Sequence, residues 1–347
     1  MPTDRFIEDR KDRLPVDIAI DGKTGEIDFK TLKTGGIIKQ RQKDKFTVRL
    51  KCPGGRVPLD RLARIVEVAR KYAGDFVHVS VRQSIELPFV DHKNIGHVQR
   101  ELAEVGQEIA SCGPRVRVPT ACAGCEYNPN GLTDSQKMAA EVCERFFGKR
   151  SLPHKFKIVF SGCPNDCVRT NSCDLGFQGA VCPRLDPASC IGCGICAHAC
   201  IEGAIESDPD SGRPIFHPEK CLYCADCIRA CPTGSWKADA TGWIVRCGGK
   251  HGRHPINGSR IAEFVPDEKV PEIIEAVLSW YEKNSVGKGR IRIGTLLLDE
   301  TVWREFVAYM RPVLGDHAVP NPPPPKPLPD CCAGLPTSSS SPTASRS

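Results

Sequence analysis

Nowhere in the 347 residues do about 18 apolar residues run together, so no membrane span is expected. The start of the chain, Met1 to Pro15, is full of charge and lacks an apolar h-region, which excludes a secretory leader there and points to a cytoplasmic protein. Charge of one sign is not in large excess: 48 Lys and Arg against 42 Asp and Glu leave a formal net charge of +6, spread along the chain. With no basic stripe interleaved with aromatics, nucleic-acid binding has little support, and a buried polyanionic ligand is a better use for the cations. A G-x-G-x-x-G fingerprint for flavin or nicotinamide is also missing, so a redox role would need its electrons from another protein.

What the chain has is cysteine, 20 in all, within a composition that is 40% hydrophobic and long enough for two or three domains. Most of these thiols fall in C-x-x-C runs, which suit metal thiolate ligation better than a disulfide scaffold. The clearest runs are Cys190-x2-Cys193-x2-Cys196-x3-Cys200 and Cys221-x2-Cys224-x2-Cys227-x3-Cys231-Pro232, an internal repeat of about 31 residues. Three closely spaced thiolates wrap three corners of a cubane, and in two-cluster ferredoxins the fourth cysteine crosses to the other cluster. The pattern therefore assigns Cys190, Cys193, Cys196 and Cys231 to one 4Fe–4S cluster, and Cys221, Cys224, Cys227 and Cys200 to a second. A zinc ribbon is the bland alternative, and eight ligands in a duplicated pattern argue against it. Ile201 departs from the pattern, since Pro usually follows the fourth cysteine.

Around this module the periodicity alternates. Lys45 to Leu50 reads as a strand, Leu59 to Ala69 as a helix, Phe76 to Val81 and Ile85 to Val90 as strands, and Ile95 to Val105 as a second helix. Further helices are expected over about 135–147, 269–283 and 299–310, with strands at 156–160 and 242–246. The fold class expected is α+β: a ferredoxin-like half-domain, then an α/β cluster-binding domain into which the two-cluster module is inserted. The expected division is an N-terminal extension (1–34), the half-domain (35–110), the cluster-binding domain (111–182 and 239–315), the inserted module (183–238) and a low-complexity, disordered tail (316–347). Cys331 and Cys332 in that tail look incidental.

Four more thiols stand in polar loops: Cys122-Ala-Gly-Cys125 and, about forty residues later, Cys163-x3-Cys167. They could hold a third cubane, which needs converging ligands but not adjacent ones. Cys52, Cys112, Cys143, Cys173, Cys182 and Cys247 read instead as small hydrophobes packed inside.

The stretch Leu152-Pro153-His154-Lys155-Phe156-Lys157-Ile158-Val159-Phe160-Ser161-Gly162-Cys163-Pro164-Asn165-Asp166-Cys167 resembles the siroheme and 4Fe–4S region of nitrite and sulfite reductases. Val79-Ser80-Val81-Arg82-Gln83-Ser84-Ile85-Glu86 is similar to that family's ferredoxin-like half-domain. The inserted module and Gly248-Gly249-Lys250-His251-Gly252-Arg253-His254-Pro255 are most similar to the siroheme-bearing subunits of anaerobic sulfite reductases. This resemblance implies siroheme and three 4Fe–4S clusters in all, with Cys122, Cys125, Cys163 and Cys167 ligating the coupled cluster and Cys167 bridging it to the siroheme iron. It also implies that Arg82, Lys155 and Lys157 hold the substrate anion. Arg49, Lys51, Arg117, Lys250, Arg253 and His254 are weaker candidates for the siroheme carboxylates, as is Arg169.

The implied reaction is sulfite to sulfide, with electrons relayed from iron–sulfur and flavin partner subunits. Reduction of nitrite to ammonia, or a non-catalytic electron-transfer subunit, are the alternatives. One departure bears on the choice. The family's first cysteine pair is usually five residues apart, a spacing that lands on Asn128, whereas the partner here is Cys125 in a shortened loop. Either the loop tightens around the same cluster or the coupled cluster is altered.

Overall fold

A computed structural model describes residues 29–148 and 152–329. A short helix opens the described chain (α1, Phe29–Thr34), where sequence suggested only an irregular extension; its Leu32 is buried under the first sheet. Residues 1–28, and with them most of that extension, lie outside the described residues. β1 (Ile37–Lys39) and β2 (Lys45–Arg49) form an antiparallel pair, and α2 (Leu59–Tyr72) follows. β3 (His78–Val79), β4 (Ile85–Asp91) and α3 (Ile95–Ala103) complete the half-domain, in a sheet of order β1-β2-β4-β3. α2 is helical for the expected reason: Ile65, Val68 and Ala69 recur at helical spacing and bury one face against Phe46, Val48, Leu87 and Val90. The strand expected over 76–81 shrinks to two exposed residues, because Val79 and Val81 face solvent and no strand among the described residues pairs with it other than β4.

The larger body is a five-stranded mixed sheet of order β12-β10-β7-β6-β5. β5 (Thr120–Ala121), β6 (Ile158–Ser161) and β7 (Leu175–Leu185) run parallel; β10 (Trp236–Cys247) and β12 (Ser259–Val265) continue antiparallel. α4 (Ser135–Phe146), α7 (Val270–Asn284), the short α8 (Ile293–Leu296) and α9 (Glu300–Leu314) join one core with this sheet. Its centre is aromatic: Phe160 stacks on Phe177 at 5.0 Å, and Trp243 meets both edge-on. β7 gave no clear strand signal, because residues 175–181 are buried on both faces and so do not alternate.

Between β7 and β10 the chain leaves the sheet and returns, Trp236 pairing with Leu185. This excursion contains α5 (Ile195–Ala199), a β8–β9 hairpin (Ile205–Ser207 and Pro214–Phe216) and α6 (Asp226–Ala230). β10 begins at residue 236, well before the strand expected at 242, since it is the return leg of a long pairing and not a separate short strand.

Residues 320–329 correct the expectation of a disordered tail. Trp303 Nε1 donates to the Pro322 carbonyl at 2.8 Å, Ser259 Oγ donates to the Pro323 carbonyl, and β13 (Lys326–Pro327) pairs with β11 (Ile256–Asn257). A proline run offers carbonyls and a fixed backbone, and here those carbonyls have donors. Cys331 and Cys332 lie outside the described residues. No helix among the described residues is long and apolar enough to cross a membrane.

Gly179 on β7 packs against the loop that follows β6: an added Cβ would sit 2.4 Å from Thr133 Oγ1 and 2.5 Å from the Gly162 carbonyl. Gly179→Ala is expected to cost about 1–3 kcal/mol by overpacking, read from denaturant unfolding.

Candidate functional site

The excursion gathers its eight motif cysteines around two cavities. Cys200, Cys221, Cys224 and Cys227 line one, together with Pro183, Ile205 and Phe216. Cys190, Cys193, Cys196 and Cys231 line the other, together with Trp236. The last cysteine of each run thus faces the cavity of the other run. Left-handed backbone at Gly192, Gly194, Tyr223 and Ala225 turns the two C-x-x-C segments sharply, and Tyr223 N–H donates to Cys221 Sγ at 3.4 Å.

Donors also surround Cys231. Burial raises its pKa, but the backbone N–H groups of Trp236, Thr233 and Ser235 and the Thr233 hydroxyl outweigh that and bring it down to about 7. Burial dominates elsewhere, pushing Cys224 up to about 11 and Cys227 up to about 12. The buried indole Nε1 of Trp236 has no acceptor among the described residues. Four thiols per cavity, N–H groups directed at sulfur and an orphaned donor in the wall fit a cubane, whose thiolates stand apart at its corners. A single ion needs ligands converging on one point, and no group of three among the described His, Cys, Asp and Glu does so.

A third group of thiols lies where the half-domain meets the larger body. Gln83 holds Ala121 from both sides, donating to its carbonyl at 2.6 Å and accepting its N–H at 2.9 Å. Ser135 Oγ and Gln136 Nε2 each donate to the Cys122 carbonyl at 2.9 Å. Gly162 N–H donates to Cys122 Sγ at 3.0 Å, which joins the Cys122 loop to the end of β6. The Cys163 thiol is raised first by burial; Asn165 N–H opposes this, while Cys122 and Cys167 add to it from within electrostatic reach.

Cys125 belongs to the same knot through its backbone. Its N–H donates to the Thr133 carbonyl at 3.1 Å, and the N–H groups of Leu132 and Thr133 both donate to the Gly162 carbonyl. The Cys125 side chain is exposed. Asn128 opens an Asx turn, its Oδ1 accepting the Asn130 N–H at 3.0 Å.

A group of cations with few counter-charges gathers about Cys112 and Cys173, joined to this knot through Arg82 and Gln83. Arg82 precedes Gln83 and is half-buried; burial, then Arg117 and Arg49, lower its pKa to about 10. Lys155 and Lys157 flank the Phe156 bridge to Val116, just ahead of β6; burial and then neighbouring cations lower Lys155, and burial lowers Lys157 with Cys173 and Asp174 opposing it and Arg292 and Arg82 adding to it. Among the described residues none of Arg82, Lys155 and Lys157 pairs with a carboxylate side chain. Arg117 is buried, with its Nε unpaired. These orphaned cations fit an absent polyanion.

Arg49 joins them but also pairs with Glu86 at 2.7 Å. Lys51 does not: it pairs with Glu108 at 2.7 Å and lies over the Phe147 ring. Lys250 reaches Thr295 at 3.2 Å, and Arg253, His254 and Arg169 are exposed. Two thiols read as apolar packing prove otherwise. Cys112 Sγ accepts from Arg49 and from Arg117, both at 3.1 Å, and Cys173 lies within reach of Lys157 and Arg82. Cys52, Cys143 and Cys247 pack in apolar cores, whereas Cys182 is half-buried beside the excursion.

Comparison with known proteins adds that the nitrite and sulphite reductase 4Fe-4S domain matches residues 112–316, and the nitrite/sulfite reductase ferredoxin-like half domain residues 38–105. The chain belongs to the nitrite and sulfite reductase family. Its relatives include the coenzyme F420-dependent sulfite reductase of Methanocaldococcus jannaschii, 36% identical over 77% of this chain and 42% of that protein. The chain thus spans less than half of that relative. One subunit of the anaerobic sulfite reductase of Salmonella typhimurium is 28% identical over 72% of this chain and 81% of that protein. In fold the chain is similar to dissimilatory sulfite reductase I, with a TM-score of 0.63 at 20% identity, over 80% of this chain and 72% of that one.

Within this nitrite and sulfite reductase frame, sequence reading missed the residues that hold the cation group in place. Asp174, fully buried, takes Arg292 through two hydrogen bonds of 2.8 and 2.6 Å, and its carboxylate also accepts the Lys157 N–H at 2.8 Å. Nothing in the spacing of residues 118 apart signals this pair. Asp174→Asn leaves Arg292 buried beside other cations and is expected to cost about 3–5 kcal/mol in denaturant unfolding.

His154 gives a pH dependence. Burial, then Arg292, Arg290 and Lys155, lower its pKa to about 4, so the folded imidazole is neutral and its Nδ1 accepts the Lys155 N–H at 2.8 Å. As pH falls from about 6.5 towards 4 the unfolded chain takes a proton that the folded one refuses, and stability declines across that window. His154→Gln should flatten that part of the stability–pH curve, measured as the denaturation midpoint between about pH 7 and 4.5.

Proposed function

We propose that this chain is the siroheme-bearing catalytic component of an anaerobic, dissimilatory-type sulfite reductase, converting sulfite to sulfide. The observation that carries the reading is the group of cations without acidic partners among the described residues, Arg82, Lys155, Lys157 and Arg117, in a chain whose loops also carry Cys122, Cys125, Cys163 and Cys167. Those four cysteines would hold a siroheme-coupled 4Fe–4S cluster, and the two excursion cavities a ferredoxin-type pair that relays electrons. Arg49 and Arg117 would meet siroheme carboxylates, with Lys250, Arg253 and His254 as further candidates; Lys51 is engaged by Glu108. Separate iron–sulfur and flavin subunits would donate the electrons, and the Salmonella relative, itself one part of a larger enzyme, supports such an assembly.

When bound, siroheme and its coupled cluster supply the redox chemistry. The chain's own residues bind and protonate. Arg82 keeps its charge at neutral pH and would neutralise sulfite oxygens in a site where burial strengthens the interaction. Lys155 and Lys157, with lowered pKa values, release a proton more readily than free lysine, so either can pass one to a departing oxygen. The Asp174–Arg292 pair fixes the Lys157 backbone against the repulsion of its neighbours.

Anaerobic purification with iron, acid-labile sulfide and siroheme quantitation tests the reading: about twelve cluster irons with one siroheme are expected. A spectrum of broad cluster absorption without a siroheme Soret band overturns it and leaves an electron carrier. Assays on sulfite and nitrite side by side decide the substrate. Lys157→Ala is expected to lower turnover about 10²- to 10³-fold while the siroheme absorbance is kept.

A further inference from the structure

We infer that the Cys200/Cys221/Cys224/Cys227 cavity is the inner electron station and the Cys190/Cys193/Cys196/Cys231 cavity the outer one. The inference rests on the functional reading above and adds a direction to it.

β7 acts as a ruler. At Gly179 the strand touches the Gly162 carbonyl, next to Cys163. Two residues on, Val181 N–H donates to the Tyr223 carbonyl at 3.0 Å, inside the turn between Cys221 and Cys224. Pro183 lines the cavity of those cysteines. At the strand's end Leu185 pairs with Trp236, and Trp236 lines the other cavity. At about 3.3 Å per residue, the inner cavity is reached about 7–13 Å along the strand from the Cys163 contact, and the outer one about 20 Å along.

The sheet grips the inner turn a second time, through the Tyr223 ring set edge-on against Phe264 of β12 at 5.0 Å. The outer turn is braced within the excursion itself, where Gly192 packs against the Ser211 carbonyl so closely that a Cβ would lie 2.4 Å from it.

Arg229 marks the inner station. From α6 its guanidinium donates to the Cys224 carbonyl at 2.9 Å and pairs with Asp226. An electron from a low-potential one-electron donor would enter at the outer station, pass to the inner one and leave the outer oxidised, then move on to the centre held by Cys163. No bond changes and no proton is needed. A nearby positive charge stabilises the reduced, more negative state, so Arg229 raises the potential of the inner station.

The test is an EPR-monitored reductive titration of the full-length, iron-loaded protein. Arg229→Gln should shift one of the three cluster signals to more negative potential, and Arg229→Lys should restore much of that shift, which marks the inner station. Thr233→Val should shift a different signal and marks the outer one, since the Thr233 hydroxyl lies 3.6 Å from Cys231 Sγ. The signal marked by Arg229 is expected to couple magnetically to the Cys163 centre more strongly than the signal marked by Thr233, read as faster spin relaxation. If the Thr233-marked signal couples more strongly, if both variants move the same signal, or if either moves none, the assignment of inner and outer is wrong. Folded protein lacking the iron of the two excursion cavities overturns the functional reading, and the order with it; full iron content with the wrong signals moving overturns the order alone.

Discussion

The structure hangs on β7. It pairs parallel with β6 on one side and antiparallel with β10 on the other, and its buried first half runs through the aromatic core of Phe160, Phe177 and Trp243. A strand with both neighbours present and both faces covered has little freedom to slip, because a shift of one residue would turn its whole pattern over. Three things are set by that register: Asp174 just before the strand, the Cys163 loop packed on Gly179 midway, and the root of the excursion at Leu185. The eight excursion cysteines and the four loop cysteines thus keep fixed spacing although none of them lies in a strand.

Electrostatics then pulls against packing. Arg82, Arg117, Lys155 and Lys157 crowd together partly out of water, and each lowers the pKa of at least one neighbour. Such a group costs stability unless something negative joins it. The buried Asp174 carboxylate offsets part of the charge and is shared between Arg292 and the Lys157 backbone. On the proposed reading the remainder is left for a ligand, and the feature that burdens the bare protein is the one that would recognise a small dianion beside a carboxylate-bearing macrocycle. The two cysteines that face these cations, Cys112 and Cys173, are part of the same balance.

Local order in the chain was legible where chemistry repeats. The duplicated C-x2-C-x2-C-x3-C runs carry their own spacing, and α2 and α3 carry their apolar stripes. Reading failed where a residue's surroundings come from far away. β7 lacks alternation because it is covered on both faces; the strand expected over 76–81 has alternation but no strand among the described residues to pair with other than β4. The proline-rich segment after residue 320 looked disordered by composition, yet its carbonyls meet donors from Trp303 and Ser259, which no local rule foresees.

By itself the sequence determined which side chains are available: twelve cysteines in paired runs, a basic set around Arg82, Lys155 and Lys157, and a resemblance to nitrite and sulfite reductases. Ligand type and short-range spacing are local properties, written along the chain. Only the tertiary structure decided which cations stand without a partner, that Lys51 is held by Glu108 and Arg49 shared with Glu86, that Asp174 meets Arg292 across 118 residues, and which cavity lies nearer Cys163. Those outcomes depend on burial and on distances between remote segments, and neither exists until the sheet has closed around β7.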